Sequence, residues 1–184
     1  MNFAVLDYYK AESKSTSLVM DIGGGSVELI YNKANKMQAI SLPIGTVRLL
    51  SKSKNDGLVW EKSIRQNLRR ASKKFGNLPR STGYIGTGGN VKSLGKLAYY
   101  TGISSRLDRL SYVSMLSLIS VLESMTCFQR QRLLGLKKDR ADVILPAAYT
   151  ICNLMEVFEL NCIQIPRVGL KNGFLLNPNL LGLS

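Results

Sequence analysis

The chain has 184 residues, of which 45% are hydrophobic, and its 25 basic against 12 acidic residues give a net charge of +13. This length and apolar fraction are typical of one globular domain with its own core, and they exclude a disordered chain. Histidine is absent, which excludes Ser-His-Asp and Cys-His mechanisms and histidine-ligated zinc. Any catalysis must therefore rest on carboxylates, Lys or Arg, backbone donors and a hard metal ion, a chemistry that suits phosphoryl transfer.

Charge, hydropathy and cysteine content indicate which kinds of partner and which cellular compartment to expect. The positive charge indicates a polyanionic partner, with an ordinary solvated basic surface as the alternative. No apolar run is long enough for a membrane-spanning helix, and the first six residues are too short an apolar stretch for a secretory signal. Cys127, Cys152 and Cys162 form no CxxC pair. We expect them to be reduced, buried thiols of a cytoplasmic protein.

The first predicted element is a hairpin over residues 18–31 whose turn holds three consecutive glycines, Gly23, Gly24 and Gly25. Without Cβ atoms, the backbone N–H groups of such a turn can close on an anion. Asp21 and Glu28 stand at the two ends of the turn, and a carboxylate beside a phosphate cradle can hold Mg²⁺ against phosphate oxygens. The pattern predicts a phosphate-handling hairpin, since a P-loop motif and the helix of a dinucleotide fingerprint are both missing.

A third strand is predicted over residues 37–43, then a helix start at residues 45–49 and a polar loop at 51–57. Apolar residues recur once per helical turn from Trp60 to Phe75, which predicts an amphipathic helix. Its other face is either an anion-binding ridge or, as is more typical of such helices, a solvated surface. The cations on that face are Lys62, Arg65, Arg69, Arg70, Lys73 and Lys74.

A second glycine-rich turn follows a short predicted strand at residues 83–85. Its residues are Gly86, Thr87, Gly88 and Gly89, and they lead into an apolar helix. The free N–H groups at the start of that helix form an anion site. Two glycine-rich turns after strands make a phosphate ligand a stronger interpretation than either turn alone.

The remaining elements are mostly helical. Helices are predicted at residues 112–125, with Ser111 as N-cap, at 128–136 and at 139–160, where Pro146 should kink the helix or mark its first turn. A strand at 162–165 and a helix at 169–176 close the chain. Three antiparallel strands followed by strand–helix units are the order of a ribonuclease H-like α/β domain, here with extra helices.

Five segments resemble, in order, motifs of the exopolyphosphatase and guanosine pentaphosphate phosphohydrolase family (Ppx/GppA), within the actin-like ATPase superfamily. They are DIGGGSVEL at 21–29, SLPIGTVRL at 41–49, GTGGN at 86–90, RADVILPA at 140–147 and GLKNG at 169–173. The resemblance covers about residues 17–176 and corresponds to the second of the family's two ribonuclease H-like domains. We therefore expect residues 1–184 to form a single domain. The first domain is expected to be absent, since residues 1–16 have no room for its phosphate loop or for its water-activating glutamate.

The resemblance implies roles for individual residues and implies Mg²⁺ as cofactor. Asp21 and Glu28 would be metal ligands, and Glu28 would also be catalytic by orienting the metal ion or water. Arg48 would reach the substrate or the interdomain surface. The implied phosphate contacts are Gly23, Gly24, Gly25, Ser26, Gly86, Thr87, Gly88 and Gly89. For Arg140 and Asp142, an ion pair at a helix start is favoured over catalysis.

Four positions depart from the family pattern: Val27 and Asn90 each replace Thr, Pro166 replaces Ser, and Lys171 replaces Arg. Val27 removes one hydroxyl that could contact phosphate. Lys171 keeps a positive charge but loses the forked donor geometry that suits phosphate. Loss of the forked donor, together with the expected absence of the first domain, points to a weakened or retired site.

The implied function is release of the terminal phosphate from polyphosphate or guanosine pentaphosphate, by a two-domain site of which this chain is the second half. The N-terminal domain would act in cis or in trans, and the apolar segments 112–125 and 143–158 could serve a homodimer. No membrane and no specific nucleic acid are expected as partners. The alternative is a catalytically incomplete regulatory module that binds polyanions or nucleotides. A nucleotide kinase-like member of the superfamily is a weaker third hypothesis, because it would lack the segments at 140–147 and 169–173.

Overall fold

The computed structural model describes residues 17–33, 36–53, 56–79 and 83–166. Within these residues six strands form one sheet: β1 (Ser17–Ile22), β2 (Val27–Lys33), β3 (Lys36–Leu42), β4 (Gly83–Thr87), β5 (Arg109–Ser111) and β6 (Cys162–Gln164). The strand order is β3-β2-β1-β4-β6-β5. Strand β1 pairs antiparallel with β2 and parallel with β4. The carboxyl ends of β1 and β4 therefore meet at one edge of the sheet, the usual place for a ligand in an open α/β sheet.

The described helices are α1 (Thr46–Lys52), α2 (Gly57–Phe75), α3 (Gly89–Tyr100), α4 (Tyr112–Glu123), α5 (Cys127–Arg130) and α6 (Ile144–Val157), with a 3₁₀ turn at Lys138–Arg140. Helix α6 is the central one, since it contacts α1, α2, α3 and α4. Trp60 of α2 is fully buried. Its indole N–H donates to the carbonyl oxygens of Leu49 and Ser53, which ties α2 to the end of α1.

The two faces of β1 have different surroundings. Leu18 and Met20 belong to the main core, whereas Val19 packs with Ile30 in a small cluster on the other face. Side chains alternate along a strand, so Asp21 lies on the same face as Val19, away from the main core. The polar end of β1 therefore lies on the face of the sheet that is opposite to the main core.

Several predictions from the sequence are confirmed. The glycine hairpin, the third strand and the long amphipathic helix all form. Ser111 accepts a hydrogen bond from the backbone N–H of Ser114 as the N-cap of α4. Pro146 lies in the first turn of α6, where its missing N–H would have no helical partner in any case.

Other predicted boundaries were wrong. The helix expected at 128–136 ends at Arg130, because Phe128 and Leu134 are exposed and give it no buried stripe. The helix expected at 139–160 begins only at Ile144, after the 3₁₀ turn. Strand β5 was missed because three residues carry too little pattern. The predicted helix at 169–176 lies outside the described residues.

The three cysteines differ in exposure. All three thiols are free, but Cys127 is exposed, so the expectation that all three are buried was wrong. Cys127 opens the short helix α5, which has little packing of its own. In the described ranges no helix combines the length and the hydropathy needed to cross a membrane.

Candidate functional site

Four polar side chains form one row across the sheet at its carboxyl edge. Asp21 pairs with Glu28 across the hairpin and with Thr87 on the parallel strand β4. Glu28 in turn pairs with Ser41 of β3. Directly opposite residues point to the same face with Cβ atoms about 5 Å apart. The hairpin register therefore sets two carboxylates side by side, with a hydroxyl residue on each flank.

Two hydroxyl groups hold the carboxylate of Glu28. Ser26 Oγ donates to Glu28 Oε1 at 2.5 Å, and Ser41 Oγ donates to the same oxygen at 3.1 Å. Hydrogen bonds to a charged acceptor are among the stronger ones. The described residues provide no hydrogen-bond donor for the second oxygen, Oε2, which is therefore left for a cation.

The glycine turn is anchored by the first turn of α1. The backbone N–H of Thr46 donates to Gly23 O at 3.1 Å, and the N–H groups of Val47 and Arg48 donate to Gly24 O at 2.9 and 3.2 Å. The carbonyl groups of the turn are thus directed at α1. Within the described residues the backbone N–H groups of Gly24 and Gly25 donate to no backbone acceptor. These two groups are therefore available to donate to an anion.

Gly45 lets the glycine turn approach α1 this closely. A Cβ atom on Gly45 would lie 2.3 Å from Gly25 C and 2.3 Å from Ser26 N. Among the described residues nothing lies within 4 Å of the Cβ position of Gly25, so this part of the structure leaves the turn open on its outer side. Arg48 is exposed and its Nε donates to Gly25 O at 3.0 Å. Sequence reasoning had placed Gly45 in a motif without assigning it a role, although a glycine immediately before a helix was a usable signal.

The second glycine-rich turn packs directly on the first. Gly88 has a φ of +92°, and a Cβ atom there would lie 2.6 Å from Asp21 Oδ1. Asn90, buried at the start of α3, places its Nδ2 3.4 Å from Ile22 O and 3.4 Å from Thr46 Oγ1. The ends of β1 and β4 and the start of α1 therefore converge at one place.

Arg140 lies at this second turn, and the ion-pair interpretation for it was wrong. Its Nη1 donates to Asn90 Oδ1 at 2.9 Å, and a Cβ atom on Gly89 would lie 2.3 Å from its Nη2. Asp142 instead accepts from the backbone N–H of Val143 at 2.8 Å. The amide of Asn90, where the family pattern has Thr, supplies the acceptor that holds Arg140 beside the N-terminus of α3.

Other predicted contacts have packing roles in the structure. Thr87 Oγ1 donates to Met20 O at 3.2 Å and is buried. A Cβ atom on Gly86 would lie 2.9 Å from Val91 Cγ1, so this glycine admits α3 to the sheet. Val27 is fully buried in the main core, and a hydroxyl at this position would face apolar side chains rather than a phosphate. Lys171 lies outside the described residues.

The donor set fits a hard divalent cation. Mg²⁺ in proteins is commonly held by one or two carboxylates, with phosphate and water oxygens completing its shell. Asp21 and Glu28 supply such a pair, both half-buried. No cluster of three or more potential ligand side chains occurs in the described residues, so a metal ion here would take its remaining ligands from substrate and water.

The sequence matches the model of the Ppx/GppA phosphatase family over residues 3–180. The chain belongs to this family. The match spans both glycine-rich turns and Arg140.

Two solved structures and one curated relative are similar to this Ppx/GppA chain. The Ppx/GppA enzyme of Aquifex aeolicus is 24% identical, with a TM-score of 0.77 over 94% of this chain and 60% of its own. An exopolyphosphatase from Cytophaga hutchinsonii is 25% identical, with a TM-score of 0.73 over 92% of this chain and 58% of its own. A Haemophilus influenzae protein named "Putative exopolyphosphatase" is 25% identical over 170 residues, which cover 87% of this chain.

These similarities confirm the predicted fold class, an α/β domain of the actin-like ATPase type. The chain spans about half the length, 51%, of the Haemophilus influenzae relative. What the longer proteins do as a whole is therefore carried to this chain only as a proposal.

Proposed function

We propose that this chain supplies one half of a site for phosphoanhydride hydrolysis, which releases the terminal phosphate of polyphosphate or of guanosine pentaphosphate. The observation that carries the proposal is the row that sets Asp21 beside Glu28 between two glycine-rich turns. Such a site offers carboxylates, backbone N–H donors and guanidinium groups. These are the groups that stabilise a transferring phosphoryl group.

Each group has a distinct part in the proposal. Asp21 and the free oxygen of Glu28 would hold Mg²⁺, which when bound would neutralise charge on the phosphate oxygens. The open N–H groups of the glycine turn would donate to the phosphate. Arg48 and Arg140 lie at the two turns, where each could donate to a phosphate oxygen.

The water-activating base would come from a first domain, supplied in cis or in trans. The proposal therefore predicts activity only from the completed assembly. The chain, fused to a first domain of the family, should release phosphate from long-chain polyphosphate or guanosine pentaphosphate when Mg²⁺ is present and not when it is chelated. Absence of release from both substrates by a folded fusion would contradict the proposal.

Isosteric variants test the named residues. Asp21→Asn and Glu28→Gln should each lower kcat by about a hundredfold, because they remove the charges that would hold the metal ion. Asp108→Asn is the matched control, since it neutralises an exposed carboxylate paired with Arg106. Equal activity in all three variants would show that Asp21 and Glu28 are not part of the proposed site.

The second candidate is a regulatory module that binds polyanions without turnover. The anchored glycine turn and Arg140 favour it, because both are complete within this chain. The isolated chain should then bind polyphosphate, with an affinity that falls as salt concentration rises. Arg140→Gln should weaken that binding, and Arg132→Gln, an exposed arginine outside the site, should not. Binding unaffected by Arg140→Gln would argue against this turn as the anion site.

A further inference from the structure

A cavity of about 370 Å³ lies outside the proposed phosphate site and shares no lining residue with it. It lies between the start of α2, the end of α4, helix α5 and the start of α6. Its size is at the lower end for ligand pockets, which typically measure about 300–1,000 Å³. A small molecule is therefore the appropriate occupant to consider.

The cavity is lined by Arg130, a residue that is only 4% exposed. Nε donates to Leu122 O at 2.9 Å at the end of α4. The two terminal nitrogens have no acceptor in the described residues, and no ion pair forms there with Arg130. Capping α4 needs a single N–H group, and the two terminal nitrogens are not among the fully buried polar atoms that lack a partner, so they remain accessible from the cavity. The remaining donors are therefore suited to an anionic ligand.

A carboxylate lines the same cavity. Glu123 accepts a hydrogen bond from the hydroxyl of Tyr149, which lies against Gly57 because that residue has no Cβ. This bond fixes one oxygen of the carboxylate, Oε1, and leaves the other for a ligand. The cavity thus holds one cation and one anion, and neither is neutralised by a close ion pair with the other.

The remaining lining residues are of two kinds: hydroxyl groups that already have hydrogen-bond partners, and apolar side chains. Ser124 Oγ donates to Val121 O, and Thr126 takes part in the capping box of α5. Met125 and Leu145 provide apolar wall. A ligand here would meet a guanidinium group, a carboxylate and an apolar surface.

We propose that this cavity binds a small zwitterion, an α-amino acid with an apolar side chain. Its carboxylate would take the paired donors of Arg130, a forked geometry that matches a carboxylate. Its ammonium group would bind Glu123, and its side chain would pack on Met125 and Leu145. Inorganic phosphate fits poorly, because a doubly charged anion would meet a single cation with a carboxylate in the same cavity.

Calorimetric titration of the full 184-residue chain with L-leucine tests the proposal, with N-acetyl-L-leucine and inorganic phosphate as comparison ligands. L-leucine should bind more tightly than either. Arg130→Gln should weaken leucine binding on the order of tenfold to a hundredfold, as expected for loss of charge-assisted hydrogen bonds. Arg132→Gln is the control, since Arg132 is exposed and its guanidinium carbon lies 4.5 Å from the ring centre of Phe128.

A second variant keeps the test decisive if loss of the α4 cap prevents Arg130→Gln from folding. Glu123→Gln retains Arg130 and should weaken L-leucine binding without weakening N-acetyl-L-leucine binding. The proposal is overturned if the wild-type chain binds no leucine at millimolar concentration, if phosphate binds as well as leucine does, or if Glu123→Gln leaves the preference for the free amine intact.

Discussion

The carboxylate of Asp21 lies against the α-carbon of Gly88, and this contact joins the two glycine-rich turns. A Cβ atom on Gly88 would be 2.6 Å from Asp21 Oδ1. The backbone of Gly88, with φ +92° and ψ 166°, belongs to a region that only glycine adopts readily. Two independent requirements therefore fix glycine at this position.

We predict that Gly88→Ala lowers the free energy of unfolding more than backbone strain alone explains. Gly76 is the matched control, because its φ of +68° and ψ of −161° lie in the same region and no atom of the described ranges lies within 4 Å of its Cβ position. Gly88→Ala should cost about 1–3 kcal/mol more than Gly76→Ala, the usual penalty for overpacking. Denaturant unfolding of both variants measures the difference.

The double variant Asp21→Ala with Gly88→Ala isolates the contact with the carboxylate. Removing the carboxylate should recover the clash contribution and leave the backbone strain. If Gly88→Ala and Gly76→Ala have equal cost, or if the second substitution recovers nothing, the two turns do not depend on this contact.

A second prediction concerns how the glycine turn sits on α1. Gly45→Ala should destabilise the fold by about 1–3 kcal/mol and displace the turn, because the new methyl group would overlap main-chain atoms of that turn. Gly25→Ala should leave the stability nearly unchanged, since its Cβ would enter open space. Thermal unfolding compares the two variants.

The variants Gly45→Ala and Gly25→Ala also test where a phosphate ligand binds on the turn. If phosphate occupies the open side of the turn, Gly25→Ala should weaken polyphosphate binding while preserving stability. Full binding by Gly25→Ala would place the anion elsewhere, and an unchanged melting temperature for Gly45→Ala would contradict the tight contact with α1.

A third prediction concerns the hydroxyl groups that orient Glu28. Ser41→Ala removes one of the two donors to Oε1, a net contribution of about 0.5–1.5 kcal/mol. In the completed assembly it should raise the Mg²⁺ concentration needed for half-maximal activity by about two- to tenfold. Ser51→Ala is the control, because in the described part of the chain that hydroxyl bonds only to Arg48 O within its own helix. A shift in maximal rate without any shift in Mg²⁺ dependence would show that Ser41 does not act through the proposed metal ligand, Glu28.

Local sequence patterns were sufficient to predict the hairpin, the amphipathic helix α2 and the second glycine-rich turn, because each depends on residues close together in the chain. The hairpin register also predicts the direction in which Val27 faces. If Asp21 and Glu28 share one face, then Val27 must face the core by alternation. Its lack of a hydroxyl therefore does not weaken the proposed phosphate site.

The position of Arg140 could not be predicted in this way. It depends on the tertiary contact between Arg140 and Asn90, fifty positions apart in sequence. The sequence pattern offered Asp142 as a nearer partner. Likewise, the need for glycine at position 45 comes from the backbone of the glycine turn that packs against it. The burial of Arg130 arises from packing around α5, so local periodicity could not predict it.

A fourth prediction separates the three thiols by reactivity. Burial raises the pKa of Cys152 to about 11 and also raises that of Cys162, whereas Cys127 is exposed. Because the thiolate is the reactive form, alkylation by iodoacetamide at about pH 8 should label Cys127 first and Cys152 last. Peptide mass spectrometry at successive times gives the order, and early labelling of Cys152 in the folded chain would contradict the packing of α6.

The last prediction concerns pH. Hydrogen bonds from Arg106 at 2.9 Å hold the pKa of Asp108 at about 2, below its ordinary value of 3.8. Because the folded-state pKa is the lower one, the contribution to stability is fully present above about pH 4 and is lost as the pH falls toward 2. Arg106→Gln should return the pKa of Asp108 toward 3.8 and remove this pH dependence. An NMR titration of the Asp108 carboxyl carbon in both proteins measures the shift, and identical titration midpoints would show that the pair does not persist in solution.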